Sequence, residues 1–250
     1  MALMRTANPA LNKKTFENFL SSRYTDEHMS IEGTVNKTFI LLILLMITAF
    51  YSWTMLLSRG FAYSKIFLYG GAIAGFVVAL ATIFKKEWSP VTAPIYALVE
   101  GVVLGSVSSM LEFLFPGIVM QAVALTFGTL LCLLLAYKSG FIKATENFKL
   151  GVFAATGAIA VIYIITFIMG FFGKNMPYIH ESGTIGILFS LFVVVIAALN
   201  LVLDFDFIES GANQKAPKYM EWYAAFGLMV TLIWLYLEML RLLSKIRSRK

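Results

Sequence analysis

Acidic side chains interrupt several long hydrophobic segments, and they are the residues whose chemistry could give this chain a function. The stretch NLVLDFDFIESGA, residues 200–212, carries Asp204 and Asp206 at the end of an apolar run. Glu100 and Glu238 lie within two other apolar runs. Carboxylates can share protons, and with amide or hydroxyl oxygens they bind hard cations such as Ca²⁺. The sequence therefore favours proton or cation chemistry.

Other chemistries lack their sequence motifs. There is no H-E-x-x-H, no G-x-S-x-G and no G-x-x-x-x-G-K-[ST]. His28, His180 and the single cysteine, Cys132, show no zinc-ligand spacing. We expect a protein that is not an enzyme and has no tightly bound cofactor, and that binds H⁺ or hard cations such as Ca²⁺.

The composition indicates an integral membrane protein whose main environment is the lipid bilayer. Hydrophobic residues make up 59% of the 250 residues and charged residues 14%, whereas soluble domains carry about 25% charge. Mean hydropathy is +0.80. The net charge of +6 comes from basic residues beside apolar runs, not from a basic stripe interleaved with aromatics. No nucleic-acid partner is therefore expected.

The apolar runs predict an all-α fold with seven transmembrane helices, since a span needs about 20 apolar residues and must satisfy its own backbone. We expect one domain over residues 36–244, a cytosolic tail over 1–35 and a basic tail over 245–250. The predicted spans are 36–58, 65–84, 92–115, 117–138, 149–172, 184–207 and 219–243.

Lys and Arg residues set the expected orientation, because basic loops stay on the cytoplasmic side. Most of them fall on the side of the N-terminus, which is therefore expected in the cytoplasm. The basic tail then lies outside if the last segment crosses fully. The alternative is that this segment is re-entrant or interfacial.

Small residues at spacings of three or four residues predict close helix packing. They occur in the second and third spans, at Gly71 and Gly75, and at Ala97, Gly101, Gly105 and Ser108.

Helical geometry separates the acidic residues by depth and by face. Glu100 lies roughly 12 Å into its span from the cytoplasmic side, the half that also holds Asp204, whereas Glu238 falls in the outer half. Asn200 and Asp204 share one helix face, and Asp206 lies about 200° away from Asp204. Asp204 is therefore the expected inward residue, and a helix stop is expected at nearby Gly211.

Each acid also has a purely structural interpretation. Asp204 could be solvated at a helix end, and Glu100 could serve packing alone. Asp206 and Glu209 could face the inner interface with Lys215 or Lys218. Glu238 could pair with Arg241 three residues later.

Three segments resemble bacterial members of the transmembrane Bax-inhibitor-motif family. They are SPVTAPIYALVEGVVLGSVSSMLE at 89–112, NLVLDFDFIE at 200–209 and LYLEMLRLL at 235–243. The resemblance covers about residues 36–243 and implies six helices around a central seventh. It also implies a pH-sensitive calcium leak channel.

The resemblance further implies a protonation-controlled latch between an aspartate near the end of span six and another in span seven. Asp204 matches the first position, but Thr231 stands where the second aspartate would be. Asp206, Glu100 and Glu238 are the available substitutes. We favour Glu100 as the partner of Asp204, and both as transient Ca²⁺ ligands, because they share the cytoplasmic half.

Two functions follow as hypotheses. The first is a passive calcium pathway gated by protonation of intramembrane carboxylates. The alternative is a non-transporting regulator that binds other membrane proteins, such as a quality-control protease.

Overall fold

A computed structural model describes residues 28–59, 64–173 and 181–249, and within those ranges its regular structure is helical. A π-helical turn at Ile66–Gly70 leads into the second helix, and a 3₁₀ turn at Lys86–Trp88 precedes the third. The helices are α1 (Ile31–Arg59), α2 (Gly71–Phe84), α3 (Ser89–Leu114), α4 (Ile118–Lys138), α5 (Glu146–Phe171), α6 (Thr184–Asn213) and α7 (Met220–Ser248).

All seven helices, α2 together with its π-helical turn, are long and apolar enough to cross a membrane. The prediction of an all-α protein with seven spans is therefore confirmed. The largest differences from the predicted spans lie at three helix ends: α1 begins at Ile31 instead of 36, α6 ends at Asn213 instead of 207, and α7 ends at Ser248 instead of 243. Polar first and last turns lengthen these helices, and hydropathy does not detect such turns.

The end of α6 shows that the predicted stop at Gly211 is wrong. Lys215 adopts a left-handed conformation with φ 53°. The Ala216 N–H donates to the Gly211 carbonyl and the Lys215 N–H to the Ala212 carbonyl, each at 3.1 Å, which is the hydrogen-bond pattern of a Schellman motif. Pro217 disfavours helix in the residue before it and has no N–H to donate, so the chain turns here and not at the glycine.

The chain forms two compact units. The first unit contains α1, α2 and α3 together with residues 207–230. The second unit contains α4 and α5, residues 181–206 and residues 231–249.

Close packing of α3 against α1 organises the first unit. A Cβ atom added at Gly101 would collide with the Leu45 carbonyl oxygen, and one added at Gly105 would collide with the Ala49 carbonyl oxygen. The Ser52 hydroxyl donates to the carbonyl oxygen of Val102, 3.0 Å away. The predicted close packing by small residues is therefore confirmed for α3, where the backbones of two helices meet directly.

In the second unit, α5, α6 and α7 share an apolar core. Ile159, Val193 and Ile196 are buried together, and Trp234 packs against them. The Lys245 ammonium group donates to the Gly186 carbonyl at 3.1 Å and to the Ser190 hydroxyl at 2.8 Å. The end of α7 therefore meets the beginning of α6, so these helices run antiparallel.

The last helix is continuous and has the largest buried share among the seven spans, 72% of its most apolar stretch. Its 29 residues extend about 43 Å, more than the roughly 30 Å of a bilayer core, and an unbroken helix cannot form a re-entrant hairpin. Its central placement remains a prediction.

The division into two tails and one membrane domain also remains a prediction. Residues 1–27 of the expected cytosolic tail lie outside the described residues. At the other end, Lys245 of the expected basic tail lies in α7.

Substituting Gly105 tests the packing of α3 against α1. We expect Gly105→Ala to lower the free energy of unfolding by about 1–3 kcal/mol, because the new methyl group meets backbone that cannot move aside. Gly157→Ala in α5 is the control, since nothing lies within 4 Å of its Cβ position. That control should be neutral or raise stability by up to about 1 kcal/mol. SDS titration followed by tryptophan fluorescence measures both, and equal effects would contradict the packing.

Candidate functional site

Four of the predicted site residues are buried polar groups of the second unit. Their side chains belong to α6 and α7, and each residue is at most 3% exposed: Asn200, Asp204, Thr231 and Glu238. Buried polar groups in an apolar helix need either hydrogen-bond partners or a functional reason. These four residues are therefore the starting point for the site.

The polar face of α6 agrees with the predicted helical spacing. The Asn200 amide nitrogen donates to the Thr156 hydroxyl of α5 at 2.9 Å and to the Ile196 carbonyl at 2.8 Å. Asp204, one turn later on the same face, is 1% exposed. The Asp206 side chain is 24% exposed on another face. The interpretation of Asp204 as a solvated helix end is wrong.

The predicted partner of Asp206 is also wrong. Its carboxylate forms an ion pair with Lys149 of α5 at 2.6 Å, and not with Lys215 or Lys218. Lys149 is also 3.7 Å from Glu146 on its own helix. Because the partner comes from a different helix, spacing within α6 could not identify it.

The antiparallel register places Thr231 near the level of Asp204. Lys245 contacts Gly186 and Ser190. Because the helices are antiparallel, Thr231, which precedes Lys245 by fourteen residues, lies at a level between Asn200 and Asp204, which follow Gly186 and Ser190 by fourteen residues. By the same register, Glu238 lies about 13 Å from the level of Asp204 along the helix axis. Thr231 thus has the level expected of the second latch residue but supplies a hydroxyl instead of a carboxylate.

Glu238 belongs to a separate cluster with Arg241 and Tyr163. The Arg241 guanidinium lies 2.6 Å from the Glu238 carboxylate, which confirms the pair predicted at three-residue spacing. The Tyr163 hydroxyl of α5 donates to the same carboxylate oxygen at 2.9 Å. Sequence reasoning missed Tyr163, since nothing in the sequence shows which face of α5 meets α7.

Glu100 lies in the first unit and is half-buried. Its carboxyl group is hydrogen-bonded to the Tyr96 hydroxyl, one turn earlier on α3. A Cβ atom at Gly75 of α2 would collide with the Glu100 carboxylate, so the glycine provides the space that this side chain occupies. The pairing of Glu100 with Asp204 remains a prediction.

A second buried carboxylate in the first unit was not predicted. Glu221, at the start of α7, is 0% exposed and forms ion pairs with Lys37 and with Lys218, the latter at 3.3 Å. It accepts hydrogen bonds from the backbone N–H and the hydroxyl of Ser30, at 2.9 and 2.8 Å. A side chain at Gly33 would collide with its carboxylate.

This Glu221 cluster fixes the beginning of α1. The Ser30 hydroxyl accepts a hydrogen bond from the Gly33 N–H at 3.0 Å, as an N-cap does, while donating to Glu221. The Met29 N–H donates to the Ala216 carbonyl at 2.7 Å. One sequence signal could have indicated this cluster: Lys37 and Glu221 have opposite charges and lie near helix ends on the same predicted side of the membrane.

The polar side chains of this region supply oxygen atoms as possible ligands. Among the described residues, no group of three or more His, Cys, Asp and Glu side chains is arranged to hold a metal ion. The oxygens of Asp204, Asn200 and Thr231 are hard ligands of the kind that Ca²⁺ accepts.

The fold and these buried acids define an integral membrane protein with seven apolar helices and ionisable groups inside them. A family model described as Bax inhibitor 1 like matches residues 8–248, nearly the whole chain, and the chain belongs to that family. Searches of curated proteins and of solved structures each gave no match. The predicted family is confirmed, while assignment to its bacterial branch remains a prediction.

Glu221 offers a test of the cluster that sequence reasoning missed. We expect Glu221→Ala to lower the free energy of unfolding by about 3 kcal/mol, because it leaves Lys37 partly buried without its counter-charge. The exposed Glu32, close to it in the first unit, provides the control, and Glu32→Ala should change stability by less than about 0.5 kcal/mol. Equal unfolding curves for the two variants in an SDS titration would show that the cluster contributes nothing.

Proposed function

We propose that this protein is a passive cation channel that conducts Ca²⁺, and that protonation of Asp204 controls its calcium leak. The observation that carries the proposal is the position of this carboxylate, 1% exposed within an apolar helix. Membership of the Bax inhibitor 1 like family supports a membrane role. The proposed role is transport or its regulation rather than catalysis.

The cost of the buried carboxylate supports a functional reason for it. An acidic residue at the centre of a membrane helix costs about 2.5 to 3.5 kcal/mol on insertion scales. A leucine would avoid that cost. A carboxylate can bind a cation when ionised and lose that ability when protonated, so a single group can both ligate and gate.

Neighbouring oxygens support Ca²⁺ as the permeant ion. Asn200 lies on the same face of α6, and Thr231 lies at the same level on α7. Glu100 is proposed as a further carboxylate ligand of the pathway, held by Tyr96 and given space by Gly75. Asp206 is proposed to set the local charge near Asp204 through its ion pair with Lys149.

The proposed location is a bacterial cytoplasmic membrane, as the resemblance to bacterial family members implies. The N-terminus is proposed to lie in the cytoplasm, because most basic loop residues fall on that side. No tightly bound cofactor and no nucleic-acid partner are proposed. The alternative, a regulator that captures other membrane proteins, depends on the N-terminal tail, most of which lies outside the described residues.

Flux measurements test the role of Asp204. Purified protein is reconstituted into liposomes that contain a calcium-sensitive dye, and entry of Ca²⁺ is followed at pH values between 5 and 8. We expect the wild-type flux to change with pH and the Asp204→Asn flux to be independent of pH, because the amide cannot titrate. Glu209→Gln, an exposed acid on the same helix, is the control and should keep the wild-type profile.

Two results would contradict the proposal: absence of calcium flux at every pH, or an unchanged pH profile in Asp204→Asn. Deletion of residues 1–27 distinguishes the alternative function. Loss of partner capture with unchanged flux would assign the regulatory role to the tail and leave the pathway in the helices.

A further inference from the structure

The two carboxylate oxygens of Glu238 have different surroundings. Glu238 is 2% exposed. Its Oε1 atom accepts hydrogen bonds from the Tyr163 hydroxyl at 2.9 Å and from Arg241 Nη1 at 2.6 Å. Its Oε2 atom is buried and accepts no hydrogen bond from any residue that the structure describes. A buried carboxylate oxygen that accepts no hydrogen bond could bind a further cation.

Arg241 is the less buried member of this cluster. Its side chain is 40% exposed, whereas the Glu238 side chain is 2% exposed. The same guanidinium nitrogen also donates to the Tyr163 hydroxyl at 2.6 Å, and the guanidinium carbon lies 5.1 Å from the centre of the Tyr163 ring. A long side chain with one end near the surface can rotate away without any movement of the helices.

Rotation of Arg241 would leave a group of hard oxygen ligands. The Glu238 Oε1 atom and the Tyr163 hydroxyl, which both contact Arg241 Nη1, would face the vacated position, and Oε2 belongs to the same carboxylate. Ca²⁺ prefers such oxygen ligands. The buried carboxylate would then lack its direct ion-pair partner, which favours entry of another cation. The nearby Lys245 also interacts electrostatically with Glu238, while its ammonium group donates to Gly186 and Ser190 of α6.

We propose that Glu238 and Tyr163 form a second cation site, in which Arg241 is a tethered cation that a divalent ion must displace. The claim that this site controls calcium passage rests on the proposed function. The claim that the site binds a cation does not depend on that function. Its predicted depth is the outer half of the membrane, about 13 Å from the level of Asp204. Arg241 would then hold the outer site occupied at low Ca²⁺ concentration.

Luminescence of bound Tb³⁺, a hard oxygen-seeking cation, tests the site without any measurement of flux. Tyrosine excitation sensitises Tb³⁺ bound close to the ring, so Tyr163 reports on this position. We expect Arg241→Gln to bind Tb³⁺ with half-saturation at a concentration at least about tenfold lower than wild type, because the internal competitor is gone. The gain should disappear in the double variant Arg241→Gln/Glu238→Gln. The double variant Arg241→Gln/Tyr163→Phe should bind Tb³⁺ with weaker sensitised emission.

Arg247→Gln is the matched control, because Arg247 lies on the same helix and donates to Gln121 of α4. It should leave Tb³⁺ binding at the wild-type level. Added guanidinium ions should compete with Tb³⁺ in Arg241→Gln and restore the weaker wild-type binding, which a purely structural ion pair would not predict. Ca²⁺ should compete as well.

Equal Tb³⁺ binding by wild type, Arg241→Gln and Arg247→Gln would overturn the proposal. If Arg241→Gln does not fold, Glu238→Gln in the wild-type background tests the site instead. This variant should abolish the part of Tb³⁺ binding that added guanidinium ions weaken in the wild type. An unchanged component would overturn the proposal too. Liposomes without calcium flux but with the expected Tb³⁺ results would retain the site and reject the pathway.

Discussion

A carboxylate within a hydrocarbon layer is costly unless other groups compensate its charge, and the polar interior of this protein follows from that constraint. The first unit compensates Glu221 with Lys37 and with the N-cap Ser30, and thereby fixes the start of α1. In the second unit, Lys149 of α5 pairs with Asp206 of α6. Each compensating group comes from another helix or another turn, so the acids also determine which helix faces meet.

The same constraint supports the proposed role of Asp204 in controlling a leak. A buried carboxylate in an apolar helix has two states with very different interaction with cations, and protonation switches between them. Thr231, at the same level on α7, supplies a neutral oxygen. The charge of this region therefore depends more strongly on Asp204 than it would if an aspartate stood at position 231. Asn200, oriented by Thr156, adds a fixed amide oxygen on the same face.

The sequence was sufficient for features that depend on local periodicity. Continuous apolar runs predicted the seven helices, and the 100° advance per residue predicted that Asp204 is buried and Asp206 is not. It was insufficient where two distant segments meet: Lys149 beside Asp206, Tyr163 beside Glu238 and the Glu221 cluster depend on the rotation and register of separate helices. The end of α6 was mispredicted because the chain turns at Lys215, two residues before Pro217, although Gly211 lies closer to the apolar run.

Difference infrared spectroscopy of the carboxyl groups tests most directly whether Asp204 changes its protonation state. Protein in lipid is compared at the acidic and neutral ends of the range in which flux changes. We predict a protonated carboxyl band that appears on acidification in wild type and is missing in Asp204→Asn, with its midpoint at the pH at which the leak changes. Identical difference spectra for the two proteins would contradict control of the leak by Asp204.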